Sequence, residues 1–342
     1  MKSGTFTISL DFELLWGIFD KIGIRYKPEY FVNTRRIIPL MLEKFAESGI
    51  QATWATVGML FAENEEEWKA YQPDYLPSYR DKQYSAYEWV KKYGIRPEVH
   101  FAPDLIRQII DTPGQELGSH SFAHYYTLMR GQNPEQFRQD LKASQKIAKD
   151  KFDLKLSSLV FPRNQLNELY LKICLEEGFT VVRGNPKNWF WQETQNESFS
   201  KKLFRTADCY VAMGERTSYK AQDIQHFPDE PLVVPASRIL RHFFKNKPLM
   251  NGLRLRRIKG EMSYAAQNHE IYHLWWHPHN FGNDPIGAMK ELDEIILHFL
   301  DLQSKYGMES INMKGVGLRH RIAIQAKQSH NSEKNSGIGM GE

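Results

Sequence analysis

Cysteine is almost absent from this chain of 342 residues: Cys174 and Cys209 are the only two, and neither has a neighbour at metal or redox spacing. A disulfide framework and a cysteine-based metal site are thereby excluded. An excess of one charge is lacking as well. Against 45 lysines and arginines stand 41 aspartates and glutamates, and a net +4 is too small to imply nucleic acid as a partner. No apolar run approaches the ~20 residues that a membrane span needs. Met1-Lys2-Ser3-Gly4 leads straight into a strand pattern without the segments of a signal peptide, so a cytoplasmic location is the expectation. Internal repeats are also lacking. What is there is ordinary for a folded chain, 41% hydrophobic and 25% charged, and long enough for one large α/β domain.

Strand and helix patterns alternate, the signature of an α/β sheet or barrel. The strand patterns fall at 5–11, 52–57, 116–119, 157–161, 180–183, 232–235 and 272–276. Helical periodicity fills 28–48, 104–111, 134–150, 168–177 and 284–306. Between the second and third strands, residues 61–100 form an insertion carrying Tyr71, Tyr75, Tyr79, Tyr84 and Tyr87. Those rings suit either packing on the barrel flank or a lid over a sugar. Two basic runs, 238–245 and 254–259, suit either solvated helix faces or a peripheral contact with anionic sugars or lipid head groups. From Met313 the sequence turns rich in Gly, Ser, Asn and Lys without periodicity, which divides the chain into a main domain over 1–312 and a tail over 313–342 expected to be unstructured.

Three polar strand exits stand out. The first strand pattern runs into Asp11-Phe12-Glu13, whose carboxylates at i and i+2 face one side of an extended strand and need a cation or donors to offset their repulsion. The third ends at His120-Ser121-Phe122-Ala123-His124, with Ser119 placed as a helix N-cap. Four residues make about one helical turn, so both imidazoles would leave the same face and could grip one metal ion. The last ends in His277, with Pro278 stopping the strand and His279 two residues on.

Together these segments resemble the polysaccharide deacetylase family, the NodB-homology group of carbohydrate esterases. The resemblance runs through Ser9-Leu10-Asp11-Phe12-Glu13, Ala52-Thr53-Trp54-Ala55-Thr56-Val57-Gly58, His120-Ser121-Phe122-Ala123-His124, Phe161-Pro162-Arg163-Asn164-Gln165 and Leu274-Trp275-Trp276-His277, in the family's order. Two departures accompany it: a spaced acidic pair where adjacent aspartates are usual, and Pro162 before Arg163 where the family has arginine first. A tryptophan-bearing fourth motif is loosely matched by Arg183-Gly184-Asn185-Pro186-Lys187-Asn188-Trp189-Phe190-Trp191.

The resemblance implies a distorted (β/α)7 barrel and a metal-dependent hydrolase acting on a carbon–nitrogen bond other than a peptide bond. Its expected substrate is an N-acetylated amino sugar of a glycan, a lipid-linked sugar or a nucleotide sugar. Glu13, His120 and His124 are the implied metal ligands, Asp11 the base, His277 the acid, and Arg163 the residue that keeps Asp11 ionised. His279 replaces His277 as the acid if the strand ends later. Two histidines and one carboxylate suit Zn²⁺, Co²⁺, Ni²⁺, Mn²⁺ or Fe²⁺, with zinc the default through abundance. Other readings stay open: hydrolysis of a ureide or other non-sugar amide on the same fold, a glycosidase using Asp11 and Glu13, and an inactive sugar-binding homologue.

Overall fold

A strand buried on both faces needs apolar side chains on one side and satisfied polar ones on the other, and the first strand has both. In β1 (Thr5–Phe12), Phe6, Ile8, Leu10 and Phe12 join the large core beneath the surrounding helices, while Thr5, Thr7, Ser9 and Asp11 are buried on the opposite face. The computed structural model describes residues 3–22, 27–192, 194 and 198–337. Within them follow β2 (Ala52–Thr56), β3 (Glu116–Ser119), β4 (Ser158–Leu159), β5 (Val181–Gly184), β6 (Leu232–Pro235), β7 (Arg238–Ile239), β8 (Ile271–Trp276) and β9 (Glu309–Ser310). All pair in parallel, in the order β6-β5-β4-β3-β2-β1-β8-β7, with β9 added against the start of β1.

One extended segment joins the two edges. The Ala236 amide still bonds to Gly184 of β5, but the next amide, of Ser237, bonds to His273 of β8. Residues 232–239 thus leave one edge of the sheet and dock on the other, so β6 and β7 act as one bent strand and the fold is the distorted (β/α)7 barrel. The seven strand patterns read from the sequence are all present; β7 and β9, two residues each, had no pattern long enough to detect.

The helices follow their local signals. Pro28–Ser48 begins on proline and ends at Gly49, whose φ of 66° lets the chain turn out of the helix. Pro134–Phe152 is fixed by a capping box between Asn133 and Gln136. Pro248–Asn268, the helix that carries the second basic run, was not among the helical patterns read from the sequence.

Three expectations are corrected. The residues from Met313 are not a structureless tail: Met313–Gly337 is helical, and its first turn enters the barrel. Met313 and Val316 complete an interior apolar cluster with Ala55, Val160, Val181, Leu232, Val234 and Ile271. Thr53 Oγ1 and Glu116 Oε2 accept the helix's first amides, from Met313 and Lys314, at 2.9 and 3.0 Å. Composition concealed this because only a few of the helix's residues are apolar. Residues 338–342 of the expected tail lie outside those described.

The basic runs are not wholly a solvated face. Arg238 is buried on Asp208 and Glu261, Arg254 is buried on Glu291, and Arg257 reaches Asp208. These cations neutralise internal acids. Nor is the tyrosine-rich insertion a lid. Tyr79 and Tyr87 are buried in the flank, the Tyr126 amide donates to Tyr79 Oη at 2.8 Å, and no residue of 61–100 lines the cavity that holds the strand-exit acids.

Candidate metal and acyl-hydrolysis site

Glu13 lies one residue past β1, and its side chain turns into the open end of the barrel, where it is 3% exposed. His120 Nε2 is 2.9 Å and His124 Nε2 3.2 Å from the same oxygen, Oε1. Burial would raise Glu13, but the charge of His277 and the bonds to His120 and His124 hold it well below the usual carboxylate range. Burial also lowers His124, favouring the neutral imidazole that a metal requires. Glu13 Oε2, His120 Nδ1 and His124 Nδ1 are buried without a hydrogen-bond partner. Three buried donors of the right chemistry with unspent polar atoms fit a divalent cation. Asp11, Glu13 and His277 form a second, overlapping set.

The two histidines converge by a route the helical expectation did not foresee. Residues 120–126 form a loop, with Ser121 and His124 at φ of 59° and 52°. Asp140, reaching from Pro134–Phe152, accepts the amides of Phe122 at 2.6 Å and Ala123 at 3.0 Å, which in a helix would have gone to carbonyls. Ser119 Oγ accepts the Ser121 amide instead of capping a helix. Burial pushes Asp140 up to about 7 in spite of these donors.

Arg163 does not pair with Asp11. It sits past β4 at φ 57°, with its guanidinium on Asp20, and lines the cavity from there. The partner is Arg183 of β5, whose two terminal nitrogens reach the two oxygens of Asp11 at 2.6 and 2.8 Å. Burial would raise Asp11; the Arg183 charge, aided by His120 and His277, overrides it and leaves the carboxyl below its ordinary value. A signal for this was present, since Arg183-Gly184-Asn185-Pro186 has arginine first and proline later, the order missing at Pro162-Arg163.

Arg183 is itself held from behind. It donates to Ser9 Oγ at 3.1 Å and Asn164 Oδ1 at 3.0 Å, and its guanidinium lies 4.4 Å from the Trp275 ring centre. Ser9 Oγ is 2.8 Å from His273 Nε2, and His273 Nδ1 is 3.2 Å from the Pro235 carbonyl. One tautomer satisfies the line: Ser9 donates to Nε2, and Nδ1–H donates to Pro235. His273 therefore supports the Arg183–Asp11 pair from the middle of the barrel.

His277 Nε2 stands 3.7 Å from Asp11 Oδ2 and 3.8 Å from Glu13 Oε2, with its side chain a quarter exposed to the cavity. His279 is 3.8 Å from Glu13 Oε2 but buried, which pushes it down to about 3. A group so reluctant to take a proton is poorly suited to donate one at neutral pH, and His277 is the more exposed of the two to the cavity. Both histidines line a cavity of about 550 Å³ with Asp11, Glu13, Trp191 and Trp275.

Residues 30–182 match the model of the polysaccharide deacetylase family. Over that stretch the chain is similar to the polysaccharide deacetylases. Its fold is shared along nearly the whole length. A structure described as a polysaccharide deacetylase from Mycobacterium smegmatis aligns with a TM-score of 0.60 at 12% identity, over 94% of this chain and 92% of that one. One from Pseudomonas aeruginosa PAO1 gives 0.55 at 11%, over 92% and 89%. Puue allantoinase gives 0.54 at 11%, over 94% and 91%. Among curated proteins none matches. Members of the polysaccharide deacetylase family are hydrolases acting on carbon–nitrogen bonds other than peptide bonds.

Sequence reasoning missed Gly17. A Cβ built there would lie 1.8 Å from Glu13 Oε2, because the carboxylate passes directly beneath the glycine. Gly17→Ala is expected to displace Glu13 and weaken divalent-metal affinity by about tenfold or more, on the scale of lost supporting contacts in metal sites. Calorimetric titration of the metal-free protein checks this, and unchanged affinity refutes the close approach.

Acid stability of the protein should follow its buried histidines. Burial holds His100 down to about 4 and His273 down to about 3, against 6.5 for the unshifted group. Each is neutral when folded and gains a proton on unfolding below 6.5. Their contribution is thus complete above pH 6.5 and is lost as pH falls toward 4 and 3. Between pH 7 and 5 the loss is on the order of 2 kcal/mol per histidine. Denaturant unfolding at the two pH values measures it; equal stabilities would contradict the burial effect.

Proposed function

We propose that this chain is a metal-dependent hydrolase that removes an N-acetyl or similar small acyl group from an amino sugar. The observation that carries this reading is the convergence of one buried carboxylate oxygen and two buried imidazoles beside a second carboxylate locked to an arginine. Glu13, His120 and His124 would hold the cation. When bound, it would supply Lewis-acid polarisation of the acyl carbonyl and a more acidic water.

The rest of the chemistry belongs to the chain. Asp11, kept ionised by Arg183, takes the proton of the attacking water. The Arg183 fork fills one side of the carboxylate, so the proton is received on the side facing the cavity. His277, across from Asp11, gives a proton to the departing nitrogen, which leaves as an amine and not as an amide anion. A glycosidase mechanism fits poorly, because both carboxyls are held below their ordinary values and neither is kept protonated to act as the acid.

Acetate release from chito-oligosaccharides, nucleotide-linked N-acetyl sugars and ureides, measured with added divalent metals, tests the reading. Release from a sugar that stops on chelation and returns with a divalent ion supports it. Turnover unaffected by chelation, or confined to ureides, overturns it.

A further inference from the structure

Glu13 presents its two oxygens to two different groups of donors. Oε1 has His120 Nε2 at 2.9 Å and His124 Nε2 at 3.2 Å. Oε2 has His277 Nε2 and His279 Nδ1, each at 3.8 Å. His277 Nε2 is also 3.7 Å from Asp11 Oδ2. One cation on Glu13, His120 and His124 accounts for the first group and leaves the second unexplained.

Separations of 3.7 and 3.8 Å are too long for hydrogen bonds, which for N–H···O end near 3.2 Å. They suit atoms that share an ion, because two donors each about 2.1 Å from zinc can stand up to about 4.2 Å apart. Asp11, Glu13 and His277 offer ligand atoms that all lie within 4.8 Å of one another. His279 adds an independent sign. It is 6% exposed, and its Nδ1, like Glu13 Oε2, is buried with no hydrogen-bond partner among the described residues. A carboxylate oxygen and an imidazole nitrogen buried side by side without partners are both costly, and an ion between them would satisfy both.

We propose that a second divalent ion binds Asp11, Glu13 and His277, with His279 as a fourth donor, and that it blocks the reaction. This rests on the acyl-hydrolase reading above, in which Asp11 receives a proton and His277 gives one. An ion here takes the lone pairs that both roles use: the side of the Asp11 carboxylate left open by the Arg183 fork, and Nε2 of His277. Two imidazoles among four donors favour Zn²⁺, Co²⁺ or Ni²⁺ over Mg²⁺ or Ca²⁺. The second ion is the weaker one, because Arg183 already opposes the charge of Asp11 and an ion on His120 and His124 shares Glu13. Coupling between two sites is commonly about 5–150-fold in affinity. A little metal therefore activates, and an excess inhibits.

The test is calorimetric titration of the metal-free protein with Zn²⁺, with acetate release from chitotriose followed over the same range of free ion. Two equivalents should bind, the second more weakly, and release should rise with the first and fall as the second fills. His277→Ala should keep the first equivalent and weaken the second by at least the about 10–100-fold that supporting contacts alone are worth in metal sites. His279→Gln, followed with melting temperature as a second variant, should weaken the second equivalent and spare the first. His124→Ala should do the opposite, losing the tighter ion. Binding of a single equivalent, a second equivalent unchanged in both His277→Ala and His279→Gln, or release that does not fall as the second ion fills overturns the proposal. A single tight ion with steady acetate release removes this inference and leaves the hydrolase reading standing. Two equivalents with the expected variant pattern, but no release from any acetylated sugar at any ion concentration, remove the hydrolase reading and leave the second cation site.

Discussion

His277→Ala is expected to retain its metal and to lose N-deacetylation by about 10²–10⁴-fold, the range for removing a positioned general acid. The imidazole stands 3.7 Å from Asp11 Oδ2, on the open side of the site. Without it a tetrahedral intermediate must expel an amide anion, and collapses back to substrate. An activated aryl acetate leaves as a far weaker base and should lose much less. The comparison therefore separates loss of the acid from general damage, since damage would lower both substrates alike. Should His279→Ala destroy amide turnover while His277→Ala spares it, the acid is His279.

Arg183→Gln is expected to cost amide turnover on a similar scale, about 10²–10⁴-fold at neutral pH, by depriving the base of its charge partner. Burial by itself raises Asp11, and the Arg183 charge is what brings it below its ordinary value. Take the charge away and burial moves the carboxyl upward, so less of it is ionised at a given pH. Activity should then recover as pH rises, with the acidic limb of the profile moved upward. Breaking a buried pair also costs stability, about 3–5 kcal/mol, so melting must be followed in parallel. Arg183→Lys should rescue poorly, because one ammonium cannot reproduce bonds of 2.6 and 2.8 Å to two oxygens. Arg163→Gln leaves that fork in place and should leave the acidic limb where it is. An equal shift in both variants would return Arg163 to the role first read from its motif.

The contrast between those arginines shows what the sequence can express. Asp11, His120, His124 and His277 could be placed together from the sequence because each lies at or just past the end of a strand whose alternating or apolar pattern fixes where it ends. Arg163 was assigned by motif position, and nothing in its local pattern reveals that residue 163 turns back toward Asp20. Arg183 sits inside a strand pattern, where its approach to Asp11 depends on β1 and β5 facing each other across a closed barrel. Closure is a tertiary fact. The same holds for Asp140, which gathers the amides of a loop that would otherwise be free to continue as a helix. Gly17 is legible only after Glu13 has been placed. The C-terminal helix was hidden by composition, because two buried side chains, Met313 and Val316, suffice to plug the barrel.

The order in which the strands pair has a consequence for the chain as it leaves the ribosome. β1 is central and early, yet one of its neighbours, β8, lies more than 260 residues later, with Thr5 opposite Ile271. Until that point is synthesised, β1 presents a row of unpaired amides beside Phe6, Ile8 and Leu10. Release of a shorter nascent chain should therefore yield material that aggregates instead of folding. Chain termination placed before and after residue 276 should show solubility and protease resistance arriving together, late in synthesis. The hydrolytic site should appear at the same step, since His277 and the strand that aligns Asp11 are delivered at once.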